Sequence, residues 1–98
     1  MNDLERENRW VLDLVQAMVG AVSSNVRRVG IQLDNEGIRI QFILERDTEE
    51  DREEIEDILF EFEALQNGPV AVEASVLIHA GDLQAIALYP RVVYGRRE

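Results

Sequence analysis

The chain has 98 residues, 46% of them hydrophobic, and a formal net charge of −10. That is too apolar for a disordered chain and long enough for one modest core, so residues 1–98 read as a single domain. The absence of cysteine excludes disulfides, thiolate metal sites and a cysteine nucleophile, and fits a cytoplasmic protein.

Residues 3–22, "DLERENRWVLDLVQAMVGAV", carry a helical period. Leu4, Val11, Leu14, Val15, Met18 and Val22 form one stripe, widened by Leu12 and Val19, with Arg9, Asp13 and Gln16 opposite. Asn2 or Asp3 can cap its start, and "SSN" at 23–25 is a stop signal. "VRRVGIQL" at 26–33 alternates in its second half and "IRIQFIL" at 38–44 throughout, around "DNEG" at 34–37, the pattern of a β-hairpin, with Gly37 free to take positive φ. A second helix follows over about 47–66, capped by Asp47 or Thr48 and ended by "NGP" at 67–69, where Gly68 can supply a left-handed cap. "VAVEASVLI" at 70–78 and "LQAIALY" at 83–89 read as two more strands about the turn "HAGD", with "RVVY" after Pro90 as an edge or bulged extension and "GRRE" as a mobile basic tail.

The order is α-β-β-α-β-β, either helix–strand–strand twice over or a circular permutation of the ferredoxin-like plait. Both give an α+β two-layer sandwich with two helices on one face of a four-stranded, mostly antiparallel sheet. The other sheet face carries Arg39, Gln41, Glu73, Ser75 and Arg28, polar enough to meet water. No apolar run approaches the roughly 18 to 20 residues of a membrane span, and the polar opening "MNDLERENRW" is no secretory signal, so no membrane partner is expected.

Motifs for catalysis and cofactors are missing. "DTEEDREEIEDI" begins like a calcium loop, but Arg52 and Ile58 stand where glycine and glutamate are needed. His79 beside Asp82 has the chemistry of a general base but no nucleophile or second ligand near it in sequence, so it reads as a turn residue. There is no phosphate loop, GxSxG or HExxH. Acid pairs on an open helix remain solvated and poorly suited to acid–base work. The expectation is a non-enzyme without metal or cofactor. Arg27, Arg28, Arg39, Arg91, Arg96 and Arg97 suggest a basic patch, yet few aromatics accompany them and the overall charge repels phosphate, so nucleic acid is not an expected partner.

The informative stretch is the second helix. Residues 45–63 hold eleven acids against two arginines, so nearly all of the excess negative charge is local. Ile55, Ile58, Leu59, Phe62 and Leu65 make the buried stripe, while Phe60 falls roughly 140° from Ile55. Glu56, Asp57, Glu63 and Ala64 neighbour it one turn away. Two structural readings stand beside a functional one. Phe60 covers a core flank or packs on "RVVYGRRE", or it makes a homodimer contact, or it is an aromatic anchor in an acidic ring offered to a basic partner. On the functional reading the partner-binding residues are Phe60, Glu53, Glu56, Asp57 and Glu63, with Glu49 and Glu50 at the margin.

In size, charge and the segment "RDTEEDREEIEDILFEFEAL", followed by a strand pair and the ending "RVVYGRRE", the chain resembles bacterial immunity proteins of polymorphic toxin systems, those of contact-dependent growth inhibition above all. The resemblance implies a protein that binds and blocks the toxin domain of its own cell. Many such toxins are basic nucleases, which an acidic surface can cover by imitating nucleic acid. The alternative is a small homodimeric structural or regulatory domain without a toxin partner.

Overall fold

The computed structural model describes residues 2–34 and 37–98. In chain order it contains α1 (Asp3–Met18), β1 (Val26–Leu33), β2 (Gly37–Leu44), α2 (Glu49–Ala64), β3 (Ala71–Ile78), a 3-10 turn at Leu83–Ala85 and β4 (Arg91–Gly95). Residues 35 and 36, the centre of the expected hairpin turn, lie outside the described residues.

Asn2 caps α1, its side chain accepting from the Glu5 amide at 2.8 Å. The helix ends earlier than its hydrophobic period suggests: Val19 leaves the helical conformation and Gly20 turns the chain at a φ of 78°. Its buried face is also rotated from the expected stripe. Trp10, Leu14, Ala17 and Met18 face the core, whereas Leu4, Leu12, Val15 and Val19 are exposed. Trp10 sets this rotation. Its indole is buried, and its N–H donates to Gln66 Oε1 at 3.1 Å, while Gln66 Nε2 donates to Phe62 O and Asp13 Oδ2. An amphipathic ring whose polar edge has a defined partner fixes the helix more firmly than aliphatic side chains do.

The sheet runs β3-β2-β1-β4 and is mixed. β1 pairs antiparallel with β2 and with β4, but β3 lies parallel to β2 over eight residue pairs. The mostly antiparallel expectation is corrected here. α2 is a crossover that carries the chain back to the end where β2 began, so the next strand must run alongside β2 in the same direction. Val29 and Ile31 of β1, and Ile38, Ile40, Phe42 and Leu44 of β2, join the α1 residues and Ile55, Ile58 and Phe62 in one core, so both helices share one sheet face. Gly37 does not adopt positive φ. It is required because a Cβ there would overlap the carbonyl oxygen of Ala71, its partner across the β2–β3 ladder. Nor does Gly68 form a left-handed helical cap; its φ is 158°, and Leu65 closes α2 in the right-handed conformation.

Residues 83–89 are not a strand. β3 and β4 occupy opposite edges, so the segment between them crosses the outer sheet face as a strap. Gln41 takes the role of a neighbouring strand: its amide donates to Ala87 O at 2.9 Å, and its oxygen accepts from Tyr89 N at 3.1 Å. Asp82 caps the single 3-10 turn through the Gln84 amide. Arg28 donates to Tyr89 O, and the Arg39 guanidinium lies 5.6 Å from the Tyr89 ring centroid. The outer face is therefore covered, not wet at its centre: Arg28, Gln41 and Ile43 are buried. The fourth strand is "RVVYG", where an edge extension was expected, and its pairing with β1 does contain an irregularity.

Candidate functional site

Thr48 is the α2 N-cap; its hydroxyl accepts from the Asp51 amide at 3.1 Å. Asp51 is the one acid of this helix that turns inward, at 6% exposure. Its carboxylate accepts from Ser23 Oγ at 2.7 Å, Asn25 Nδ2 at 2.8 Å and Thr48 Oγ1 at 2.6 Å. Burial raises its pKa, but the hydrogen bonds from Thr48, Ser23 and Asn25, with the charge of Arg46, outweigh burial and leave it below the usual carboxylate value. Asn25 also bridges Arg46, donating to its carbonyl and accepting from its amide. This knot ties the start of α2 to the turn between α1 and β1, so the helix presents a fixed face.

The remaining acids of α2 are Glu49, Glu50, Glu53, Glu54, Glu56, Asp57, Glu61 and Glu63, all exposed. Among the described residues none of them makes a side-chain hydrogen bond or ion pair. Phe60 stands among them at 78% exposure, as exposed as any large hydrophobic residue among those described. It neither covers the core flank nor packs on the C-terminal segment. All seven residues singled out from the sequence thus lie on the open side of one helix, as the helical wheel requires.

The arginines are deployed differently. Arg27 is buried and donates to Glu98, His79 O and Gly81 O. Its hydrogen bond holds the Glu98 carboxyl down at about 2, aided by the charges of Arg27 and Arg96. Arg96 bonds Ser24 O and Glu45, Arg91 pairs with Glu7, and Arg52 pairs with Asp47 at the start of α2. The expected sheet-face patch is therefore mostly committed to internal partners, and "GRRE" is tied down through Arg96 and Glu98 instead of trailing. Internal pairing of cations beside unpaired acids concentrates the negative field at α2. Sequence reasoning missed Asp51 as a structural acid; the Ser23–Asn25 pair that receives it lies too far away in the chain to suggest the contact.

His79 Nε2 lies 3.0 Å from Asp82 O, a turn contact. The calcium-loop-like stretch is helical from Glu49 onward. Among the described residues no group of three His, Cys, Asp or Glu side chains is placed to hold a metal ion, and no helix is long and apolar enough to cross a membrane. A shallow cleft of about 300 Å³ lies between α1 and the end of α2, with Arg6, Arg9, Trp10, Gln66 and Pro69 in its wall; it excludes the acidic ring around Phe60.

Fold and site together define an α+β protein that offers an open, strongly acidic helix surface. A model of the MafI2 immunity protein family matches residues 7–98. The chain belongs to that family, and is accordingly a toxin immunity protein with a cognate toxin as its partner. Comparison with the curated proteins gives no match.

Proposed function

We propose that this chain is a non-enzymatic inhibitor that neutralises a basic toxin domain, a nuclease, by laying the outer face of α2 over the toxin's substrate site. What carries the reading is the ring of unpaired acids around Phe60, on a chain whose arginines are largely engaged elsewhere. The acids draw in a basic surface and speed encounter. Phe60 then loses water on contact and supplies the apolar centre that such interfaces need. Glu53, Glu56, Asp57 and Glu63 surround it, and Glu49 and Glu50 extend the ring toward the helix start. A carboxylate array of this kind occupies the place that nucleic acid phosphates would take.

The test uses the purified cognate toxin domain, its nucleic acid cleavage, and binding kinetics at two salt concentrations. Phe60→Ala weakens binding by roughly 30-fold or more, the scale of a central aromatic anchor. The double change Glu56→Lys with Asp57→Lys slows association and flattens its salt dependence. Wild-type affinity in both variants would refute the assigned surface. A toxin without nuclease activity would refute the substrate-mimicry part alone.

A second reading has its own observation. Leu4, Leu12 and Val15 of α1, between 43% and 67% exposed, fall on one helical face, with exposed Val19 just beyond its end. Self-association through that stripe makes the chain a homodimer. Sedimentation equilibrium of wild type and Leu12→Glu separates the cases: a monomer at micromolar concentration removes this reading.

A further inference from the structure

The two edges of the sheet differ. β4 is five residues long, its pairing is irregular, and Arg91 anchors it to Glu7 and Asn8 of α1. Such devices keep an edge from recruiting another strand. β3 has none of them. It is eight residues long, its register with β2 is unbroken, and it contains neither proline nor lysine. Its one charge, Glu73, belongs to the alternate set that faces the outer side.

The direction of each main-chain group on β3 follows from the ladder. His79 N donates to Leu44 O at 2.8 Å, so the amides and carbonyls of the odd-numbered residues turn toward β2. Those of Val72, Ala74, Val76 and Ile78 then turn away from the sheet. Among the described residues they have no hydrogen-bond partner. The strand is also poorly covered: Ala74 is exposed, and Leu77 and Ile78 are each 37% exposed. Four outward donors and four outward acceptors, evenly spaced, make a template for a fifth strand.

Charge selects the occupant. α2 is the crossover into β3, and Glu63 of α2 shares a cleft wall with Val70 at the foot of β3. Two copies joined through β3 would bring two acidic helices onto one face of a continuous sheet, which like-charge repulsion opposes. An extended segment bearing lysine or arginine meets the same helix favourably. We infer that β3 is a second docking element of this protein, which captures an extended, basic segment of the toxin as an added edge strand beside α2. The inference rests on the proposed basic toxin partner but not on the role of Phe60.

The experiment is residue-resolved amide hydrogen exchange on the free chain and on its complex with the cognate toxin domain. In the free chain the amides of Val72, Ala74, Val76 and Ile78 exchange faster than those of Glu73, Ser75 and Leu77. In the complex the outward set slows by roughly 100-fold, closing the alternation. Ala74→Pro supplies the companion test, since it removes an outward donor and places ring atoms where a docked strand would lie, while leaving the β2 ladder bonds in place. It weakens toxin binding by roughly tenfold or more, with the free protein's β2–β3 amides still protected. A complex in which the outward amides stay fast, or full affinity in Ala74→Pro, overturns the edge. If Phe60→Ala is harmful and Ala74→Pro is not, the helix surface stands and the edge falls; the reverse result removes the helix surface and keeps the edge. Protection of the outward amides in the free chain, rising with its concentration, identifies a second copy as the occupant and overturns the inference, as does the absence of any toxin binding.

Discussion

Replacing Asp51 by alanine tests whether the knot at the start of α2 holds that helix in place. The carboxylate accepts three side-chain hydrogen bonds, from Ser23, Asn25 and Thr48, at 6% exposure. Hydrogen bonds to a charged group contribute about 1.5–3 kcal/mol each at most, but they are not additive here. The Ser23 and Thr48 hydroxyls can rotate toward water, and Asn25 keeps its bond to Arg46 O, so the donors left behind are partly rescued. A loss of about 3 kcal/mol is expected, read as a lower midpoint in urea at pH 7 with an unchanged slope. Asp51→Asn should cost less, about 1–2 kcal/mol, because its amide oxygen serves Asn25 and Thr48 while Ser23 can turn to accept. The pH dependence has a definite sign. Asp51 has a folded pKa below its unfolded value of 3.8, so its contribution is complete above that value and is lost as pH falls through the folded pKa. The gap between wild type and Asp51→Asn therefore narrows in acid. A loss below about 0.5 kcal/mol for Asp51→Ala at pH 7 would refute the assignment of Asp51 as a structural residue.

Gly37→Ala forces a Cβ into the Ala71 carbonyl, and neither backbone can yield without breaking the β2–β3 register; a loss of about 2–3 kcal/mol in thermal or urea unfolding is expected. Trp10→Phe keeps an aromatic in the core but deletes the bond to Gln66 and some volume, lowering stability by about 1–2 kcal/mol and loosening the α1–α2 contact as seen in Gln66 amide resonances. Glu98 is expected to titrate at about 2 when followed by carbon-detected NMR, and the stabilisation it gives Arg27 is complete above its ordinary value of 4.5 and is lost as pH falls through about 2; Glu98→Gln should converge with wild type across that window.

Much of this architecture is legible in the residues. α2 betrays itself through a cap, a breaker and a four-residue apolar spacing, and the same wheel that buries Ile55, Ile58 and Phe62 puts Phe60 outside. β2 alternates plainly, and β1 does so from Val29 onward, because their apolar residues line the core face. What escaped was settled by distant partners. The rotation of α1 depends on Gln66, which lies 56 residues beyond Trp10. "LQAIALY" is a short apolar run that reads as a strand, but a segment lying across a sheet face is apolar as well, and only Gln41 reveals which it is. The parallel pairing of β3 follows from where α2 delivers the chain, not from composition. The arginines look like a surface patch until their acceptors, mostly backbone carbonyls and distant glutamates, are known.

The strap also governs when the sheet can be finished. β1 and β2 meet as a local hairpin, and β3 joins after one helix, so the centre of the sheet can assemble from near neighbours in the chain. β4 has a longer route. It must pair with β1, the first strand, and the Arg27–Glu98 bond that accompanies it spans 71 residues. Loop closure of that length is entropically slow compared with hairpin formation. One side of β1 therefore stays open until the strap has been laid across the outer face, and during that interval its unpaired edge is exposed to pairing with another chain.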